Sequence, residues 1–250
     1  MAGNQIIMNY SAFKKTMSNY AKDFFNEDYL ENRKNIRIKK ESTVAKNLEK
    51  IFDATLEISN KKGFQAMTMR DLSSEAGLSM GALYSYFSSK EDLLKMLQSQ
   101  RRSVTKRILE EYINQEAGIA EKLRTAIRIH LYLSEAMQPW FYFSYMETKN
   151  ISGPEQAKAI ESELYTEKIF ENILNEGEKS GVFLHKNYQL TASVIKAMLQ
   201  DWYLKRWKYA KRNISVEQYA KYLISIVETF CLSHEHEKKC KKTRGENGLH

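Results

Sequence analysis

Residues 63–91, GFQAMTMRDLSSEAGLSMGALYSYFSSKE, leave little freedom in what they fold into. Thr68 stands where a helix N-cap belongs, ahead of an apolar seam made by Leu72, Ala76 and Leu78. Gly77 follows the first helix where a left-handed residue closes it, and Ser79 caps a second helix running from about Met80 to Tyr86. Two short helices joined by so tight a turn form a helix-turn-helix, whose second helix enters the major groove of duplex DNA with its first residues on base edges. Ser79, Met80, Gly81 and Ala82 are the candidate readers, and their small size permits close approach of the backbone.

A wider pattern surrounds this core. The Gly63-Phe64 turn follows a helix carrying Ile51, Phe52 and Ala54. Thr68 and Ala76-Gly77-Leu78-Ser79 come next, then the ending Leu83-Tyr84-x-Tyr86-Phe87-x-x-Lys90-Glu91-x-Leu93. From about Lys46 to Leu97 the chain resembles the DNA-binding domain of TetR/AcrR-family transcriptional regulators. The resemblance implies that Thr68, Tyr84, Tyr86 and Lys90 contact phosphate, which positions the protein, and that Arg70 reads a base. For the two tyrosines the alternative is packing within the small domain, and for Arg70 a solvated helix position. A guanidinium paired to guanine O6 and N7 contributes roughly 1–3 kcal/mol of discrimination.

The 250 residues suffice for this domain and a larger one, and 42% hydrophobic residues exclude a mostly disordered chain. Proline occurs only at 139 and 154, glycine is sparse and no alternating β-branched run is bounded by turns, so the fold class is all-α. With only Cys231 and Cys240, and no 18-residue uncharged apolar stretch or cleavable signal, the expected setting is the reducing cytoplasm, with no membrane partner. A net charge of +8 favours an acidic partner. Arg33, Lys34, Arg37, Lys39 and Lys40 crowd into an arm placed to follow DNA, or into a solvated linker. Before them, Tyr10, Phe13, Met17, Tyr20 and Phe24 recur at helical spacing, predicting an amphipathic helix that packs on the protein's own body. The domain reading is an extension over 1–40, the helix-turn-helix domain over 41–97, a helical effector-binding and dimerisation domain over 98–236, and a basic disordered tail over 237–250.

Helices are expected over about Thr43–Lys61, from Lys90 towards Tyr112, Ile119–Met137, Gln156–Lys179, Tyr188–Ala210 and Val216–Ser233. The resemblance implies that the helix from Lys90 transmits effector occupancy and that the last two helices pair with their mates in a homodimer on a near-palindromic operator. Trp140-Phe141-Tyr142-Phe143-Ser144-Tyr145-Met146 is the most aromatic run of the chain. Tyr132, Trp140, Phe141, Tyr142, Phe143, Tyr145, Phe170 and Trp202 are the expected lining for a small, largely apolar or aromatic effector. Lys205, Arg206 and Lys208 extend that class to a phosphate-bearing molecule such as an acyl-CoA. Cys231, His234, His236 and Cys240 fit no standard zinc spacing, and His130 reads as a core histidine or a ligand donor. No phosphate-cradling loop or nucleophile motif is present, so the chain reads as a non-enzyme without metal or cofactor. The reading is a ligand-responsive repressor; an effector-independent architectural DNA binder and a protein-interaction adaptor are the alternatives.

Overall fold

The computed structural model describes residues 9–17, 41–150 and 153–233. Among them the order is α1 (10–17), α2 (Glu41–Lys62), α3 (Met69–Ala76), α4 (Met80–Leu83), α5 (Lys90–Asn114), α6 (Ile119–Ala136) and α7 (Gln138–Glu147). A 3-10 turn (Thr148–Asn150) then leads to α8 (Pro154–Lys179), α9 (Tyr188–Leu204), α10 (Arg206–Lys211) and α11 (Val216–Cys231). No strand occurs among the described residues; a lone antiparallel bridge joins Phe183 to Leu232. No helix among them is long and apolar enough to cross a membrane.

The chain divides into two compact units, one of residues 1–105 and 136–160, the other of 106–135 and 161–250. The first unit takes in α7 as well as the helices before it. There, α2 turns Val44, Leu48, Ile51 and Phe52 inward at helical spacing, and these meet Phe64 and Met67 of the following turn, Leu72 of α3, Leu83 of α4, and Leu93 and Leu97 of α5. Each such side chain removed from water contributes about 1.5–3 kcal/mol. Phe143 of α7 completes the same cluster. The α1 segment bears out a helix at Tyr10 to Met17 with Phe13 fully buried; Tyr20, Phe24 and the basic arm over 33–40 lie outside the described residues.

In the second unit α6, α8, α9 and α11 bury Leu131, Phe170, Leu199, Trp202, Leu223 and Val227. α11 begins with a capping box in which Ser215 and Gln218 satisfy each other's amides. Phe183 lies so close over Gly177 that a Cβ there would fall 2.0 Å from its ring. One expected helix, Tyr188–Ala210, is instead two. In a straight helix residues 202 and 209 stand about 10 Å apart along the axis. The break at Lys205 lets Tyr209 stack on Trp202 with ring centroids 4.9 Å apart, and Tyr219 joins them at 5.1 and 4.8 Å.

Candidate nucleic-acid interface and the second unit

Thr68 caps α3 as the sequence requires. Its hydroxyl accepts from the Asp71 amide at 3.1 Å, while the Asp71 carboxylate takes the Thr68 amide at 2.8 Å and the Thr68 hydroxyl at 2.6 Å. Lys62 reaches the same carboxylate at 2.7 Å. The hydrogen bond from Lys62, followed by those from Thr68, holds the Asp71 carboxyl well below the usual range, so the cap stays ionised. Gly77 closes α3 at φ +63°, its amide directed at the Ser73 and Ser74 carbonyls; a side chain there is strained. Ser79 then caps α4 by accepting from the Ala82 amide at 3.2 Å.

The recognition helix is shorter than expected. α4 ends at Leu83, and the chain tightens through Ser85 N–H to Ala82 and Tyr86 N–H to Leu83, both three-residue closures. That twist sorts the expected contact residues. Thr68, Arg70, Ser79, Gly81 and Tyr84 are exposed, Met80, Ala82 and Lys90 are half-buried, and Tyr86 is fully buried. Of the two readings of Tyr86, the structure displays the packing one: its ring is core, and its hydroxyl accepts from Asn47 of α2 at 2.8 Å. Asn47 flanks the apolar positions 44, 48 and 51 of α2, which is the only hint of this role in the sequence. Lys90 also has a structural task, its ammonium donating to the Gln65 and Met67 carbonyls at 2.8 and 3.1 Å and lying 5.0 Å from the Phe64 ring centre. One of its three N–H bonds remains for another acceptor.

Gly81 has no positive φ, and a Cβ added there meets nothing within 4 Å. A helical glycine costs up to about 1 kcal/mol relative to alanine, and nothing among the described residues requires it. At Gly81 the backbone of α4 is thus open to the surface.

The eight residues expected to line an effector cavity divide between the units, Trp140, Phe141, Tyr142, Phe143 and Tyr145 in the first and Tyr132, Phe170 and Trp202 in the second. Trp140 meets Phe52 edge-on at 5.3 Å, Phe143 meets Phe64 at 5.5 Å, and Phe141 lies under the Arg101 guanidinium at 5.5 Å, so the α7 rings are spent on the first unit's packing. Tyr142 is half-buried and Tyr145 exposed on that helix. In the second unit Tyr132, Phe170 and Trp202 are buried; the Trp202 N–H donates to Glu135 at 3.0 Å, and Arg206 grips both oxygens of that carboxylate at 2.8 and 3.0 Å. Nearby, Asp201 takes Lys205, Lys208 and the Tyr209 hydroxyl. Burial opposes its ionisation, but these donors outweigh burial and lower its carboxyl, while burial pushes the Tyr209 hydroxyl up to about 12. Lys205, Arg206 and Lys208 are thus already paired with carboxylates.

His130 of α6 is fully buried, with Lys196 of α9 3.4 Å from its Nε2; Lys196 also pairs with Glu163 at 3.3 Å. A groove of about 460 Å³, lined by Leu190, Val194, Met198, Ile226, Phe230 and their neighbours on α9 and α11, opens on the surface. A second, of about 300 Å³, lies in the first unit between Glu91, Lys95, Asn150 and Glu155. None of the eight aromatic candidates lines either. No group of metal-ligating side chains occurs among the described residues; Cys231 is buried in the groove wall, its thiol pushed up to about 11 by burial, and His234, His236 and Cys240 lie outside them.

Comparison with known proteins agrees with this geometry. Residues 51–97 match the family described as bacterial regulatory proteins, tetR family, and residues 116–228 match the tetracyclin repressor-like C-terminal domain. The HTH-type transcriptional regulator HbdR of Aromatoleum sp. (strain CIB) is 21% identical over 206 residues, covering 82% of this chain and 90% of that protein. Among solved structures, the ketosteroid transcriptional regulator KstR2 of Mycobacterium tuberculosis superposes with a TM-score of 0.67 at 18% identity, over 75% of this chain and 95% of that one. FadR from Bacillus subtilis in complex with stearoyl-CoA does so with a TM-score of 0.59 at 22% identity, over 72% and 96%.

Proposed function

Because this chain belongs to the TetR family of bacterial regulatory proteins and is a transcriptional regulator with a DNA-binding helix-turn-helix, we propose that it acts in the cytoplasm as a homodimeric repressor released from a near-palindromic operator by a small effector. One observation carries the DNA reading: α4 is capped, and its exposed Gly81 has an open Cβ position, so the backbone there is free to approach a groove. On this reading Ser79, Met80, Gly81 and Ala82 face base edges and Arg70 reads a base from α3. Thr68, Tyr84 and the remaining donor of Lys90 hold phosphates. Tyr86 supports the turn from within.

Dimerisation is supported by the apolar face of α9 and α11. Leu190 is 63% exposed, and Val194, Tyr222, Ile226 and Phe230 are exposed with it. Such a contiguous apolar surface on a soluble regulator marks an association site. A two-fold pairing of this face puts two copies of α4 in one dimer, matching the two half-sites of a near-palindromic operator.

For the effector, the likeness to a regulator solved with stearoyl-CoA supports an acyl-CoA or a similarly apolar molecule, bound within the second unit. Release by 100-fold requires the effector to prefer the DNA-incompetent arrangement by about 2.7 kcal/mol. No catalytic role is assigned.

Selection of duplexes from a random pool by the full-length protein tests the reading, followed by titration of the recovered duplex with acyl-CoAs of increasing chain length. Enrichment of a two-fold symmetric sequence, with affinity falling steeply with salt, supports it. Recovery of no common sequence sinks the operator model in favour of an architectural binder; failure of every acyl-CoA to weaken binding removes that effector class.

A further inference from the structure

The first helix of a helix-turn-helix crosses the DNA backbone, and here that helix, α3, carries a carboxylate in its cap. Three donors converge on one oxygen of it, Asp71 Oδ2: the Thr68 amide at 2.8 Å, the Thr68 hydroxyl at 2.6 Å and the Lys62 ammonium at 2.7 Å. A hydroxyl has a single proton to give. While Asp71 holds it, Thr68 has none for a phosphate, and the carboxylate charge repels any phosphate that comes near.

Lys62 meets both difficulties. It is the last residue of α2, nine positions before Asp71, and the left-handed Gly63 turns the chain immediately after it. Its positive charge cancels that of Asp71. It also leaves the shared oxygen with two donors, its own and the Thr68 amide, when the Thr68 hydroxyl swings out to a phosphate, so the carboxylate is not stranded. Lys61 provides the internal contrast. It has the same charge and stands beside Lys62 at the end of α2, but its ammonium pairs with Glu57 of the same helix at 2.7 Å.

We infer that Lys62 is a positioning residue for DNA binding, which neutralises Asp71 and releases the Thr68 hydroxyl to a backbone phosphate. This rests on the DNA reading above and adds to it a residue outside the two helices of the motif. Lys62 acts through Asp71, and not as one more cation on a basic surface.

A double-mutant cycle in the full-length protein tests it, with duplex affinity read at low salt, where charges are least screened. Lys62→Met should weaken binding by about tenfold, within the range for residues in one hydrogen-bonded network, and Lys62→Arg should keep the parent affinity. In an Asp71→Asn background the Lys62→Met change should weaken binding by about twofold or less, because the amide has no charge to cancel and holds the hydroxyl less tightly. Lys61→Met should have about that small effect in either background, and denaturation midpoints should stay close together, as for exposed ion pairs in general. Equal losses from Lys62→Met in the two backgrounds would make Lys62 independent of Asp71 and overturn the proposal. So would equal losses from Lys61→Met and Lys62→Met, or an affinity loss that follows a loss of stability. The cycle is read both on the duplex recovered by selection and on one of arbitrary sequence, because this cap meets backbone and not base edges. Should selection recover no operator, the operator model fails while the cycle on the arbitrary duplex still judges Lys62.

Discussion

The two exposed surfaces of this protein differ in kind. Around α4 the exposed residues are small or polar, Ser79 and Gly81 with Tyr84 beside them, and their positions follow from hydrogen-bonded caps. Along α9 and α11 they are Leu190, Val194, Ile226 and Phe230, a face with no polar directionality. The contrast separates two ways of binding. A surface that reads a partner exposes backbone and short donors on a rigid frame, whereas a surface that joins copies exposes area and gains from its removal from water.

The largest effect expected from this contrast is on association. Ile226→Glu places a carboxylate on the apolar face of each copy, where like charges meet across a two-fold axis at a cost of several kcal/mol. Analytical ultracentrifugation should show the dimer weakened by about 100-fold or more, with operator binding lost and the helical content kept. A dimer of unchanged strength would place the interface elsewhere.

Next in size is the response of α4 to a side chain. Since a Cβ at Gly81 meets nothing within 4 Å among the described residues, Gly81→Ala should stabilise the fold by up to about 1 kcal/mol of helix propensity and raise the melting temperature. Gly81→Leu should fold equally well. Both should weaken operator binding, Gly81→Leu by about tenfold or more, which is roughly 1.4 kcal/mol. Undiminished affinity in Gly81→Leu would show that this face does not approach DNA closely.

The smallest effect is the sharpest comparison, because both units contain a capping box. Thr68→Ala and Ser215→Ala each remove a side chain that caps a helix, α3 and α11, at about 1 kcal/mol apiece. Chemical denaturation should find similar losses for the two. Only Thr68→Ala should also reduce operator affinity and lower the salt slope by about one phosphate. Equal effects on DNA binding would mean that Thr68 serves the fold alone.

The local elements were legible because they depend on neighbours. Thr68, Asp71, Gly77 and Ser79 interact over three to five residues, so their types and spacing dictate caps and turn wherever the segment lies. The apolar periodicity of α2 predicted its buried face for the same reason. The aromatic run from Trp140 to Tyr145 was different. Its composition suits a cavity lining and a packed core equally well, and only the contacts with Phe52 and Phe64, 76 or more residues earlier in the chain, distinguish them.

The sequence by itself determined the all-helical class, the helix-turn-helix and the caps that frame it, since short-range hydrogen bonds and helical periodicity are properties of a segment. Tertiary structure alone decided three further matters: that Tyr86 is core held by Asn47, that α9 breaks so that Tyr209 stacks on Trp202, and that α7 packs into the DNA-binding unit. Each depends on which distant surface a side chain meets. Burial is selected by the whole set of competing contacts, and no single segment carries that information.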